Sequence, residues 1–237
     1  MKVFCGILAS GSGERYSSKN NPKQFETLAG SSLFAITLKT AQESQLFDGI
    51  VISIIQGLEE RFTESISNEV RDQTYSDIHT TIGGKTRMQS ILNVINKFRE
   101  IHSIEKDDIL VLCDANRPLV TKEYFISLIE EAKIHKISCP SRPLVDGIGI
   151  VNDGFLTEIP DKSMIHTIQT PEACNFEILI KFIDQNKHNN RLGLSEIFLG
   201  AGIKPKVIES DHKTHKVTYP GDIDILEVLM DLDNEKL

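Results

Sequence analysis

A short apolar run that ends in a cation-bearing glycine loop constrains this chain more than any other feature. Val3-Phe4-Cys5-Gly6-Ile7-Leu8 breaks into Ala9-Ser10-Gly11-Ser12-Gly13-Glu14-Arg15, and the stretch closes with Pro22-Lys23-Gln24. Such a run reads as a buried strand feeding a loop that a ligand approaches closely, because glycine lets backbone N–H groups come within hydrogen-bonding distance. Phosphate oxygens are the usual ligand at such a loop. Two common phosphate loops fail on spacing. A dinucleotide fingerprint needs a third glycine where Tyr16 stands, which argues against a dinucleotide-dependent oxidoreductase; a Walker loop needs Gly-Lys after four spacers, and Gly6 to Gly11 is followed by Ser12. What remains is a glycine loop with its own cations, Arg15 and Lys23, with Pro22 stiffening the approach to Lys23. Two fixed positive charges beside backbone donors suit a triphosphate whose charge grows during transfer. An ordinary surface loop competes for Gly-Ser-Gly alone, and the added cations and proline weigh against it.

Further along, apolar runs alternate with helical spacing. A helix is expected over about residues 33 to 44, after Ser31-Ser32, and the β-branched run Ile50 to Ile55 reads as a strand covered on both faces. Residues 58 to 71 read as a polar helix, and Ile78 to Ile82 as a strand ending in Gly83-Gly84-Lys85-Thr86-Arg87-Met88-Gln89-Ser90. Ile91, Leu92, Val94, Ile95 and Phe98 carry the next helix, and Asp108 to Cys113 form a third buried strand that stops at Asp114-Ala115-Asn116-Arg117-Pro118. Helices are expected at about 122 to 136, 174 to 187, 195 to 201 and after Asp222, with short strands at 137 to 140, 205 to 209 and 215 to 218. This alternation predicts an α/β fold: a single-domain, Rossmann-like, mostly parallel sheet over residues 1–237, with ligands at the carboxyl ends of the strands. From Ser141 to Thr170 the pattern weakens, with Gly147, Gly149 and Gly154 interrupting and Pro160 near the middle. That stretch predicts a protruding β-arm at about 141–170 used for subunit contact.

The length suits one substantial core, and 40% hydrophobic with 25% charged residues is ordinary for a globular chain. A formal net charge of -8 argues against nucleic acid or an anionic membrane surface as a partner, although Arg15 and Lys23 can form a local basic cleft. Cys5, Cys113, Cys139 and Cys174 form no Cys-x-x-Cys pair, so reduced core thiols are expected rather than a zinc site or disulfides. The first apolar run is too short for a signal segment or a membrane span, so a cytoplasmic protein is expected. Asp114 follows five apolar residues at a strand end, where a carboxylate is badly placed unless it faces a cleft or a cation. Magnesium takes one or two carboxylates plus phosphate oxygens, which makes Asp114 the leading metal ligand, with a helix cap as the alternative.

Leu8-Ala9-Ser10-Gly11-Ser12-Gly13-Glu14-Arg15 followed by Pro22-Lys23-Gln24 resembles the long, gapped signature of the cytidylyltransferases that act on polyol phosphates, namely methylerythritol 4-phosphate and ribitol 5-phosphate. Asp114-x-x-Arg117-Pro118 fits the same pattern, although Cys113 stands where a histidine is usual. The resemblance covers nearly the whole chain. It implies nucleotide contacts from Leu8 to Gly13 and from Asp114 and Ala115, and a second nucleotide loop at Gly83, Gly84, Arg87 and Ser90. It implies catalytic roles for Arg15, Lys23, Lys162 and Lys216, with Arg117, Asp146, Lys162 and Lys216 on the acceptor side. It also implies Mg2+ as cofactor, and an arm that interlocks with a second subunit and helps complete the site of a homodimer.

The acceptor side departs from the pattern. Lys162 replaces a usual arginine, Asp146-Gly147 replaces Asp-Thr, and Leu192-Gly193-Leu194 stands where the methylerythritol enzymes carry an acidic segment. The expected reaction is transfer of CMP from CTP to a small polyol phosphate, giving a CDP-polyol and pyrophosphate. Ribitol 5-phosphate or a similar acceptor is slightly preferred over 2-C-methyl-D-erythritol 4-phosphate. A nucleotidyltransferase using another base or acceptor, and a silent relative that only binds CTP or CDP, are the rivals.

Overall fold

Successive side chains of a strand point to opposite faces, so a strand that is apolar at every position needs cover on both. The computed structural model describes residues 1–11, 13–16, 21–69, 77–186 and 193–234. Its strands are β1 (Val3–Leu8), β2 (Thr27–Leu28), β3 (Ser31–Ser32), β4 (Gly49–Ile54), β5 (Asp77–Ile82), β6 (Ile109–Asp114), β7 (Ile137–Pro143), β8 (Ile150–Asn152), β9 (Phe155–Glu158), β10 (His166–Ile168), β11 (Glu172–Asn175) and β12 (Lys206–Glu209). The helices are α1 (Leu33–Ser44), α2 (Glu59–Glu69), α3 (Arg87–Ile101), α4 (Lys122–His135), α5 (Phe176–Asn186), α6 (Leu194–Gly200) and α7 (Asp222–Asn234).

Cys5 and Ile7 of β1 face a layer built from Phe34 and Leu38 of α1, Phe62 of α2 and Phe125 of α4. Phe4 faces the opposite layer, with Met88, Ile91 and Phe98 of α3 and Phe176 of α5. Each such buried side chain contributes roughly 1.5–3 kcal/mol. Helix α3 sits so close to β1 that a Cβ at Gly6 would stand 2.8 Å from Val94 Cγ1. A third apolar cluster ties Tyr16, Leu28 and Leu33 to Val217 and Leu226, which anchors α7 beside the first loop.

The main sheet runs β10-β7-β11-β6-β1-β4-β5, with β12 also paired to β7. Strands β5, β4, β1 and β6 are parallel, whereas β11 lies antiparallel between β6 and β7. The chain leaves β1 toward β4 and β5 and returns to the other side of β1 as β6. This reversal opens a crevice at the carboxyl ends of β1 and β6, where open α/β sheets bind ligands. Leu8 pairs with Asp114 in that register, so the glycine loop and the Asp114 turn emerge side by side.

The mixed, mostly parallel α/β sheet agrees with the sequence reading. Two local expectations do not hold. Glu172–Asn175 is a buried strand, so the helix expected from 174 starts at Phe176. Residues 215–218 form no strand; they follow a 3-10 turn over His212–Thr214, and their backbone groups pair with Asn116 and Asp222 instead. Of the polar helix expected over 58 to 71, Glu59–Glu69 is helical and residues 70 and 71 lie outside the described residues. In the 141–170 stretch β8 and β9 form a hairpin about Asp153-Gly154, whose φ values of 50 and 84 suit a two-residue hairpin turn.

Candidate active site

Three strand ends meet at one cleft of about 410 Å³. From the end of β1, Leu8, Ser10 and Gly11 line it. Gln24 braces this loop from behind, its Nε2 donating to the carbonyls of Ala9 and Gly11, each at 2.7 Å. Gly13 closes the loop with φ +68, a left-handed conformation that glycine adopts without a Cβ penalty.

From the end of β5, Gly84, Arg87 and Ser90 line the cleft. Glycine is required here by packing: a Cβ on Gly83 would stand 2.1 Å from the Cβ of Ser10, and one on Gly84 would stand 2.1 Å from that of Gln89. The two loops are then stitched by hydroxyls. Ser10 Oγ lies 3.0 Å from Ser90 Oγ and 3.1 Å from Ser53 Oγ, while Ser90 Oγ accepts from Gly84 N at 3.0 Å. Thr86 caps α3 by accepting from Gln89 N.

From the end of β6 comes Asp114, only 5% exposed and the centre of charge. Its Oδ1 accepts from Arg87 at 2.5 Å and its Oδ2 from Lys216 Nζ at 2.6 Å, with Arg117 Nε at 4.0 Å. Burial alone would raise the Asp114 carboxyl, but the cations of Arg87, Lys216 and Arg117 hold it well below the usual carboxylate range. Ala115 lines the cleft beside it. Lys23 enters from a 3-10 turn after Pro22, its Nζ donating to the Val217 carbonyl at 3.3 Å. Burial lowers the Lys23 ammonium to about 8; Lys216 and Arg15 push the same way and Asp114 opposes them.

The fold thus gathers Leu8, Ser10, Gly11, Lys23, Gly84, Arg87, Ser90, Asp114, Ala115 and Lys216 around one cleft. Ala9 is buried behind the loop, and Ser12 lies outside the described residues, as does Leu192. Arg15 is exposed on the turn Glu14–Tyr16, near enough for its charge to act on Lys23 but outside the cleft lining. Arg117 is spent inside the protein, donating to Thr170 Oγ1 at 2.8 Å and to the Thr214 carbonyl. Asp146 and Lys162 are on the arm and do not line the cleft; Lys162 Nζ donates to the carbonyls of Val145 and Asp146. The sequence reading named no role for Gln24, Lys85, Thr86 or Asn116, which also line the cleft. Gln24 and Asn116 stood inside the quoted motifs, and only their partners reveal what they do.

Among the described residues no group of three or more His, Cys, Asp or Glu is placed to hold a metal ion, and no helix is long and apolar enough to cross a membrane. All four cysteines are free and buried. Cations around a single carboxylate, beside two glycine loops at a strand crossover, give this α/β fold a cleft whose chemistry suits an anionic ligand.

Comparison with known proteins carries this further. The profile of the 2-C-methyl-D-erythritol 4-phosphate cytidylyltransferase (IspD) family matches residues 3–231. The enzyme of that name from Clostridioides difficile is 30% identical, over 96% of this chain and 93% of that protein. The ribitol-5-phosphate cytidylyltransferase of Lactiplantibacillus plantarum is 25% identical, over 97% of this chain and 98% of that protein. The crystal structure of the Francisella tularensis 2-C-methyl-D-erythritol 4-phosphate cytidylyltransferase superposes with a TM-score of 0.77 at 23% identity, covering 96% of this chain and 99% of that one. The chain belongs to the 2-C-methyl-D-erythritol 4-phosphate cytidylyltransferase family. It is a CTP-dependent nucleotidyltransferase with a polyol phosphate as its second substrate.

Proposed function

We propose that this enzyme joins CMP to ribitol 5-phosphate or a closely similar polyol phosphate, in slight preference to 2-C-methyl-D-erythritol 4-phosphate. One observation carries the preference. Position 147 is glycine, so the hydroxyl that a threonine would offer the acceptor is missing, and within the subunit nothing lies within 4 Å of where its Cβ would be. Polar contacts built into a site can dominate discrimination between substrates. Both acceptors occur in the names of the relatives, so neither is foreign to this fold.

An oxygen of the acceptor's phosphate forms a bond to the α-phosphorus of CTP, and the bond from that phosphorus to the bridging oxygen of pyrophosphate breaks. The acceptor phosphate is already ionised, so positioning and charge neutralisation replace a general base. Lys23, assisted by the Arg15 charge, meets the triphosphate, and Lys216 orients the acceptor phosphate beside Asp114. Enzymes of this family work with a divalent cation, and we assign Mg2+ here. The residues fit an ion held mainly by the nucleotide: Asp114 offers one carboxylate, each of whose oxygens keeps a lone pair beyond its present bond. Bound there, Mg2+ would offset the charge gathering on the phosphates.

The arm is read as the surface that joins two copies. Val145, Val151, Phe155, Leu156, Ile159 and Met164 are each at least 59% exposed on it, an apolar array that a lone subunit leaves in water. Asp146 and Lys162, placed on the arm, would then serve the partner subunit's cleft. Four unbridged core thiols fit a reducing, cytoplasmic setting.

The test is a comparison of kcat/KM for ribitol 5-phosphate and 2-C-methyl-D-erythritol 4-phosphate with CTP and Mg2+, in the parent and in Gly147→Thr. Higher efficiency with ribitol 5-phosphate, and a shift toward methylerythritol phosphate in the variant, supports the assignment. A clear parental preference for the methylerythritol substrate overturns it.

A further inference from the structure

The turn that supplies Asp114 also holds the segment carrying Lys216, and it does so on both sides of that lysine. Arg117 donates to the carbonyl of Thr214. Asn116 Nδ2 donates to the carbonyl of Val217 at 2.6 Å, and Val217 N donates back to the Asn116 carbonyl at 2.9 Å. Between these points Lys216 Nζ reaches Asp114 Oδ2 at 2.6 Å. Residues 215–218 belong to no strand, so the side-chain donors of Asn116 and Arg117, with the one backbone bond from Val217 N, do what a sheet ladder does elsewhere.

The Val217 carbonyl has a second donor, Lys23 Nζ, at 3.3 Å. That bond is longer than the one from Asn116, and it comes from an ammonium that the triphosphate would recruit. When Lys23 turns to phosphate, the Val217 carbonyl keeps only Asn116. The amide is 5% exposed, so no bulk water stands ready to replace it. An acceptor-only side chain such as aspartate could not make the bond.

We propose that Asn116 is a positioning residue for nucleotidyl transfer: it grips Val217 through both backbone groups, so that Lys216 keeps its place beside Asp114 once nucleotide has drawn Lys23 away. The inference rests on the reading of Lys216 as the contact to the acceptor phosphate. A residue that acts through Lys216 should affect the acceptor and leave CTP binding alone. It should also lose its effect when Lys216 is gone.

The experiment is a double-mutant cycle of Asn116→Ala and Lys216→Ala in the full-length enzyme. It reads kcat/KM for the polyol phosphate at saturating CTP, and the Kd of CTP by calorimetry without acceptor. Asn116→Ala should lower acceptor kcat/KM about tenfold, in line with one lost buried hydrogen bond. Its CTP Kd should stay within about twofold of the parent, and in the Lys216→Ala background the substitution should add less than about twofold. Additive losses, an equal loss in CTP binding, or parent-like kinetics for Asn116→Ala would overturn the inference. Parent-like acceptor kinetics for Lys216→Ala would instead overturn the reading of Lys216 itself. Should Asn116→Ala not fold, Asn116→Leu, which fills the volume without a donor, carries the same cycle.

Discussion

Lys23 has two competing partners, the Val217 carbonyl it meets in the free protein and the phosphates it is proposed to meet in the complex. Its ammonium, lowered from 10.5 to about 8 chiefly by burial, sets a definite pH signature. Between those values the unfolded chain binds more protons than the folded one, so ligand-free stability should rise with pH across that window and be held down below about 8. A bound triphosphate favours the charged form and reverses the trend, so CTP affinity should weaken as pH climbs above about 8, with proton uptake on binding. Calorimetry in buffers of different ionisation enthalpy checks this; pH-independent binding, or the same pH trend in Lys23→Ala, would remove Lys23 from the nucleotide's phosphates. Lys23→Ala should lose about a hundredfold or more in turnover with the fold intact, the scale of one lost transition-state contact. Asp114 behaves oppositely, since a depressed carboxyl stabilises above the ordinary carboxylate range and loses that contribution as acid protonates it. Asp114→Asn should move the Mg2+ titration of activity to higher concentration, because the amide keeps shape without charge. Coincident titrations of mutant and parent would put the metal elsewhere.

The loops after β1 and β5 touch so closely that they behave as one element. Gly83→Ala forces Ser10 to move, because the clash is with its Cβ rather than with a flexible tip. Overpacking of this kind costs about 1–3 kcal/mol, which for a chain of this size lowers Tm by several degrees. The same shift should raise KM for CTP, read from initial rates, and a variant with unchanged Tm and KM would show that the loops are more compliant than their packing implies. Strands β1, β4 and β6 were legible in the sequence because they are unbroken apolar runs, which only a sheet covered on both faces accommodates. Strand β11 was not. It is four residues long, and its ends are polar: Glu172, whose partners are distant in sequence, and Asn175, whose Oδ1 also accepts from Ile178 N at 2.9 Å in the first turn of α5. Glu172 accepts from Leu194 N at 3.1 Å and Ser195 N at 2.8 Å at the start of α6, and Asn175 Nδ2 donates to the Lys106 carbonyl at 2.8 Å. Burial raises the Glu172 carboxyl, and the Ser195 bond and the Arg87 charge draw it partly back. Residues 215–218 misled in the opposite way, with strand-like Val217-Thr218 held by the side chains of Asn116 and Asp222 and the Asn116 carbonyl instead of a neighbouring strand.

At the scale of the whole molecule, the motifs pointed to residues that the fold brings to one cleft, because glycine loops and a strand-end carboxylate advertise their geometry locally. The residues proposed for the acceptor were harder to place. Arg117 carries a motif position yet braces Thr170 and Thr214, while the part played by Asn116 beside it lies in a bond to Val217, distant in sequence. The arm completes the account only if two copies meet through it. Phe155→Glu, at a side chain 76% exposed on β9, should therefore yield monomers by sedimentation together with loss of acceptor turnover; a fully active monomer would break the link between arm and site. The central claim is that the Asp114-centred cleft transfers CMP from CTP to a polyol phosphate, and it is tested most directly by following pyrophosphate and nucleotide products together in one reaction with CTP, Mg2+ and ribitol 5-phosphate. The account predicts acceptor-dependent pyrophosphate release matched one for one by CDP-ribitol, and loss of both in Lys23→Ala. Pyrophosphate matched by CMP instead, or no release with ribitol, methylerythritol or glycerol phosphates, would contradict it.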